Sequence, residues 1–362
     1  VAATHGRSFW ILDDISPLRA LSDERSAVQL VPPRDTIRAK LAWSAGTGNS
    51  KRGISYSPAF GIGAATEAVT LVDGSSARRH LDVGENPPNG AIVYYWLPEN
   101  FTGTVTLSFK DARGQALNRF ASEGPDTPAP KRPGVKPGLN RFVWDLRQRG
   151  PSKLDPTLVV RKNKPFAEEN DDTSGPAVVP GRYSVVLEAG ATTLEAGFAL
   201  MKDPRIATTQ QAFDQQSALL QALYAKLSSL NEAVNAMRRI KRQLLELQTR
   251  LGNGANALGD RCTALLSRLE SIEGVLVDVK RESPRDILRH PAGLNDTLVD
   301  LIGVVGIADE APTASARQVS EEIMAKVDAE IARLDVLLAG EMASLNAALR
   351  GAGVELLGGA GS

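Results

Sequence analysis

The sequence predicts a multidomain α+β protein: short strands at the start, then a β-sandwich of immunoglobulin type, then an antiparallel helical bundle with heptad seams. Three observations carry this. Composition changes at Met201-Lys202-Asp203-Pro204-Arg205, from a β-like, Pro-bearing half to one rich in Ala, Leu and charge. Several segments between residues 90 and 200 alternate at the two-residue period of a half-buried strand. Beyond residue 209, apolar residues recur at heptad steps. A chain of 362 residues is long for one core and suits two or three domains.

The elements are read in order. In residues 1–30, Val1 to Leu12 reads as strand, turn, strand, and the apolar run Phe9 to Leu12 needs neighbours that no upstream sequence supplies. The expectation is that the chain opens on a fragment. Pro17 is expected to stop the strand, and a linker follows through Pro32-Pro33. Residues 31–89 form a strand-bearing connector, with strand-like pieces at Ile37 to Trp43 and Ala68 to Val72 around the Gly-rich stretch Gly46 to Gly63.

Residues 90–202 form the expected sandwich. The inward sets are Val105, Leu107 and Phe109; Phe142, Trp144 and Leu146; Tyr183, Val185 and Leu187; and Leu194, Ala196 and Phe198. Residues 203–352 form the expected bundle. Phe213, Leu220, Leu223, Leu227, Leu230, Val234 and Met237 step by seven and then alternately by three and four, and Ile240, Leu244, Leu247 and Leu251 continue after a phase shift. Further seams run through Cys262, Leu265, Leu269, Ile272, Leu276 and Val279, through Leu294, Leu298, Leu301 and Val305, and through Val319, Ile323, Val327, Ile331, Leu334 and Leu338. Residues 353–362 are a flexible tail.

Bulk properties exclude several functions. Lys plus Arg equals Asp plus Glu at 42 each, so no net field draws in nucleic acid or an anionic membrane. No apolar run approaches the ~20 residues that span a bilayer. Cys262 is the only cysteine, which forbids an intrachain disulfide and a cysteine metal cage. The first residues carry no basic start followed by an apolar core, so no signal peptide is read there.

Three stretches carry a family resemblance. Thr4-His5-Gly6-Arg7-Ser8-Phe9-Trp10-Ile11-Leu12-Asp13-Asp14-Ile15 resembles the closing strand of large bacterial sortilin-type propeller proteins, often labelled glycosyl hydrolase or BNR-repeat, with Ser8 in place of a usual Gly. Gly138 to Arg147 with Pro180-Gly181-Arg182-Tyr183-Ser184-Val185 resembles the immunoglobulin-like module of the flagellar hook-capping protein. Leu294-Asn295-Asp296, Gly303-Val304-Val305 and Pro312-Thr313 are similar to that family's C-terminal bundle. The resemblance implies that residues 1–30 are terminal strands of a β-propeller whose other blades, with their aspartate-box turns, lie outside this chain. It also implies a secreted or periplasmic protein.

No catalytic, cofactor-binding or metal-binding residue is assigned from the sequence, and no cofactor is expected. His5, His80 and His290 fall in three different regions, so no triad or zinc site forms from them. Asp13 and Asp14 are a tempting acid pair for glycoside hydrolysis, but adjacent strand residues face opposite ways, and one of them capping the turn before Ser16-Pro17 is the simpler reading. Glu168-Glu169-Asn170-Asp171-Asp172 has the oxygen ligands of a calcium site without EF-hand spacing and reads as a solvated insertion. Gly61-Ile62-Gly63-Ala64-Ala65 lacks the third glycine of a dinucleotide turn.

Trp43, Tyr94, Tyr95, Trp96 and Trp144 could form a sugar-stacking platform, except that Tyr95 faces away from Tyr94 and Trp96, and Trp144 belongs to a core pattern. Arg238-Arg239-Ile240-Lys241-Arg242 is read as a solvated helix face paired with Glu232 and Glu246. The function expected is therefore a non-catalytic accessory or assembly region that self-associates or binds a protein through its helices. Two alternatives follow from the resemblance: part of a glycoside hydrolase whose acids lie on the absent blades, or part of a sortilin-like binder with a peptide or carbohydrate ligand on the propeller.

Overall fold

The computed structural model describes residues 2–3, 9–10, 14–22, 25–39, 54–57, 64–70, 76–81, 88–124, 127, 131–159, 174–251, 257–280 and 289–353. The protein is mixed α+β. Contacts divide it into two units: Val1–Arg149 with Ala177–Ala207, and Gly150–Pro176 with Thr208–Ser362. The 150–176 stretch, which the sequence pattern leaves inside the β region, therefore groups with the helices.

In the first unit β1 (Ala2–Ala3) pairs antiparallel with β2 (Phe9–Trp10), Ala2 opposite Trp10. Pro17 does not end a strand but opens α1 (Ser16–Ala20), because the first turn of a helix needs no proline N–H. Next come β3 (Gln29–Val31), β4 (Thr36–Arg38), β5 (Ile54–Ser57), β6 (Ala64–Thr70) and β7 (Ser76–His80). They are followed by β8 (Ala91–Leu97), β9 (Val105–Asp111), β10 (Ala116–Ala121), β11 (Gly138–Trp144), β12 (Gly181–Ala189) and β13 (Thr192–Lys202).

One sheet has the order β10-β9-β12-β13-β4, a second β11-β8-β3, and a third β5-β6-β7. All described pairings are antiparallel except β13 with β4. Residues 29–38 thus add one short strand to each of the first two sheets, across the border that the sequence places at residue 30.

The first two of these sheets share one core, and the two-residue alternation explains how. Ala91, Val93, Tyr95 and Leu97 of β8 point inward toward Val105, Leu107 and Phe109 of β9, with Trp144, Val185 and Leu187 between them. Trp144 stacks on Phe109 at 4.3 Å between centroids and 16° between planes, and meets Tyr183 and Phe198 edge-on. Its indole N–H donates to the Arg147 carbonyl at 2.9 Å. That bond closes over Leu146, a buried non-glycine residue at φ 58°, where the chain turns out of β11. The chain comes back at Ala177, which bridges to Arg147.

In the second unit α2 (Gln210–Leu251) runs 42 residues, about 63 Å at the helical rise. Its seam residues Phe213, Leu220, Leu223, Leu227, Leu230, Val234, Met237, Ile240, Leu244 and Leu247 are all buried. α3 (Ala257–Leu276), α4 (Leu294–Gly306) and α5 (Ala314–Leu337) each pack on α2. A π-helical stretch, Leu338–Met342, joins α5 to α6 (Ala343–Gly351), which packs on α3.

Where α3 ends and α4 begins, Gly293 lies so close that a β-carbon would come within 2.7 Å of the Val277 Cα. The α5 seam departs from expectation at its start. Val319 is exposed, and the small Ser320 is buried one position on, in heptad phase with Val327 and Leu334. Ser320 Oγ donates to the Ala316 carbonyl at 2.6 Å, so its hydroxyl is satisfied without a partner helix.

Replacing Trp144 by Ala is expected to destabilise the first unit by about 3–5 kcal/mol in denaturant unfolding, the loss typical of a buried aromatic. Tyr95 gives a pH test. Burial pushes its phenol well above the ordinary value of 10.0, and the neutral hydroxyl donates to the Gly134 carbonyl at 2.6 Å. A raised folded pKa contributes stability that is complete below the unfolded value and lost as pH rises toward the folded one. Stability of this unit is expected to fall above about pH 10, and Tyr95→Phe to flatten the fall, as read by fluorescence-monitored unfolding across that range.

Candidate functional site

Among the described residues of the second unit, a dense polar arrangement lies on α2, where another segment of the same chain is laid along the helix. The seam makes α2 apolar on one side; flanking it are Ser228, Asn231, Glu232, Asn235 and Arg242, which follow Ser228 by three, four, seven and fourteen residues and so rise along one face. Each meets the segment. Asn231 Nδ2 donates to the Ser152 carbonyl at 2.7 Å and Asn235 Nδ2 to the Lys153 carbonyl at 2.8 Å. The Asp155 amide donates to Asn235 Oδ1 at 2.8 Å, and the Ser152 amide to Ser228 Oγ at 3.1 Å. Ser152 Oγ donates to Glu232 at 2.5 Å, and Arg242 donates to the Thr157 carbonyl.

Two side chains of the segment turn inward. Leu154 joins the apolar core of α2 and its neighbours, and Leu158, four residues on, is also buried. Between them Pro156–Leu158 forms a single 3-10 turn capped by Asp155. The Asp155 carboxyl is held below its ordinary value by the bond from the Thr157 hydroxyl, then by the Thr157 amide, with smaller help from Arg242 and Arg239.

Asn231 also faces the other way: its Oδ1 accepts from buried Asn295 of α4 at 2.6 Å. Further up α2, buried Gln216 donates to the Val305 and Ala308 carbonyls, satisfying the C-terminal end of α4. Lower down, Arg238 Nε and Lys241 Nζ each donate to Glu273 of α3 at 2.8 Å, and Glu270 lies 3.7 Å from Lys241. Burial alone would push the Glu273 carboxyl up; the bonds and charges of Lys241 and Arg238 outweigh it and hold it below its ordinary value. A cleft of about 280 Å³ is lined by these four charged residues with Leu158, Val159 and Val279.

This corrects the reading of residues 238–242 as a solvated face. Arg238 is 3% exposed and Lys241 16%, and their described carboxylate partners are on α3 rather than Glu232 and Glu246. The physical reason is helical phase: residues 238 and 241 sit beside the seam positions 237 and 240, where α3 is the neighbour.

The other candidates among the described residues do not converge. Asp14 Oδ1 accepts from the Ser16 amide at 2.9 Å, the turn-capping role considered for one of the two acids. His80 lies in β7 opposite Thr66, and His290 in a turn before α4. His5, Asp13, Trp43, Gly61 to Gly63 and Glu168 to Asp172 lie outside the described residues, while Ala64 and Ala65 begin β6. Tyr95 and Trp144 are in the core, and the guanidinium of Arg25 covers Trp96 at 4.6 Å, so the described aromatics do not form one platform. Among the described residues no group of three or more His, Cys, Asp or Glu is placed to hold a metal, and no helix is long and apolar enough to cross a membrane. No family model, curated protein or solved structure matches the chain.

The periodicity of α2 does not reveal its amide ladder, because a seam reading weighs only apolar positions. The available signal was the polar residue at buried phase: Asn231 and Arg238 sit one residue after Leu230 and Met237, a heptad apart.

Two outcomes are expected. Glu273→Gln leaves buried Arg238 and partly buried Lys241 without their carboxylate and should cost about 3–5 kcal/mol, read by helical circular dichroism in urea. A depressed folded pKa contributes stability present above the unfolded value, near 4.3 for a glutamate, and lost as pH falls through the folded one. The wild type should therefore lose helical stability in acid more steeply than Glu273→Gln does. Asn235→Ala removes one donor and one acceptor from the segment and should cost about 1–3 kcal/mol, whereas the exposed neighbour Arg239→Ala should stay within about 0.5 kcal/mol.

Proposed function

We propose that this chain is a non-catalytic accessory and assembly region, in which an immunoglobulin-like sandwich is joined to an antiparallel helical bundle with heptad seams. The observation that carries this reading is what the buried polar side chains of the helical unit do. Gln216, Asn231, Arg238 and Glu273 each fix one segment of the chain against another. Groups held that tightly position elements; they are not poised to exchange protons with a substrate.

Self-association through the helices is supported by apolar side chains on the surface of the same unit: Val304 at 62% exposure, Ile307 at 78% and Val336 at 73%. On this proposal the Ala2–Ala3 and Phe9–Trp10 pair is the last blade strand of a sortilin-type propeller, and the protein works outside the cytoplasm, as the resemblance implies.

Light scattering of the full chain across a concentration series tests the assembly reading. A mass that rises from one chain to two is expected, and Ile307→Asp is expected to lower the dimer fraction. A mass of one chain at every concentration would overturn it.

A further inference from the structure

The cleft of about 280 Å³ lies within the helical unit, and its lining divides by chemistry. Two pairs of charged residues, each pair three apart and so on one helix face, meet across it: Arg238 and Lys241 from α2, Glu270 and Glu273 from α3. The rest of the lining is apolar: Leu158 and Val159 from the end of the docked segment, and Val279 from just past α3.

The charges of the cleft do not balance. Arg238 and Lys241 are 3% and 16% exposed, and they share the one buried carboxylate of Glu273, which accepts from each of them on a different oxygen. One positive charge is left over among these groups. Glu270 is 64% exposed and 3.7 Å from Lys241, beyond hydrogen-bond reach, so water screens it and it offsets that charge weakly. An ammonium has three donors; among the described residues Lys241 makes one hydrogen bond, to Glu273. The cleft thus offers donors and excess positive charge, where burial makes an unmatched charge costly, beside an apolar wall.

We propose that this cleft binds a small monocarboxylate with a short hydrocarbon tail, its carboxylate on the Lys241 ammonium beside the Arg238 guanidinium and its tail against Leu158, Val159 and Val279. A carboxylate matches the single excess charge, and its bond to an ammonium is charge-assisted. A dianion would overshoot that charge beside Glu273, and a cation would add to it. The volume exceeds the ~150 Å³ that holds a benzene ring and falls just under the ~300 Å³ at which drug-sized pockets begin, so the occupant has about six to ten non-hydrogen atoms. The site is complete within one chain and is independent of self-association.

Ligand-observed NMR titration of the full chain with hexanoate tests it, with acetate, hexanol, hexylammonium and inorganic phosphate as comparison probes. Hexanoate is expected to bind with a dissociation constant of about 1 mM or tighter, and at least about tenfold more tightly than each of the others. Hexanol binding as well as hexanoate would overturn the charged end of the site, and acetate binding as well would overturn the apolar end. No hexanoate binding at about 10 mM would overturn the whole.

Two variants locate the site. Lys241→Gln is expected to weaken hexanoate by at least about tenfold. Glu270→Gln changes an exposed side chain, so it keeps the fold, and removing a carboxylate that competes for Lys241 is expected to tighten hexanoate by about two- to fivefold. Wild-type affinity in a folded Lys241→Gln, or an unchanged or weaker complex in Glu270→Gln, overturns the proposal.

Discussion

The helical unit depends on one constraint: a helix of 42 residues carries a single apolar seam along its whole length, and that seam must be dried. No one neighbour is long enough. α3 has 20 residues, α4 has 13 and α5 has 24, so successive stretches of α2 need different partners. Apolar contact alone would let those partners slide, since leucine packs on leucine at any register. The buried polar side chains of α2 remove that freedom. Gln216 meets the carbonyl end of α4, Asn231 meets both Asn295 and the docked segment, and Arg238 meets Glu273. Each is satisfied in one register only, as single buried polar residues do in coiled coils.

The docked segment extends the same logic to a stretch without regular structure. Apart from one 3-10 turn, residues 150–159 satisfy few of their own backbone groups. Beside an apolar helix face, unsatisfied amides and carbonyls would be expensive. Ser228, Asn231 and Asn235 supply the missing donors and acceptors, and Leu154 then joins the core of α2 without stranding the backbone on either side. The charged cluster of Arg238, Lys241 and Glu273 lies one turn further along, beside Leu158.

Much of this was legible in the sequence. Period-two alternation gave Val105, Leu107 and Phe109, and Trp144, as inward residues, and all four are fully buried. Heptad stepping placed α2 within one residue of its observed start, and the seam from Phe213 to Leu247 is buried as expected, while Leu251 at its end is only partly buried. The illegible parts were non-local. Nothing in Thr36–Arg38 announces a strand that pairs in parallel with residues 200–202, because pairing partners 164 residues apart leave no local mark. Nothing in Gly150–Pro176 announces a helix as its partner, since Ser152, Lys153 and Asp155 take part through backbone atoms that every residue has. Arg238 was misread for a related reason: a charge is assigned to solvent by default, and only the position of Glu273 on another helix reverses that.

The polar side chains of α2 hold the segment's backbone. Native-state hydrogen exchange at the Ser152 and Asp155 amides tests it most directly, because those two N–H groups donate to Ser228 and Asn235. The account predicts that both are protected well beyond a free loop, and that Asn235→Ala releases the Asp155 amide while leaving the seam amides of α2 unchanged. Exchange at the rate of an unstructured peptide in the wild type would contradict it.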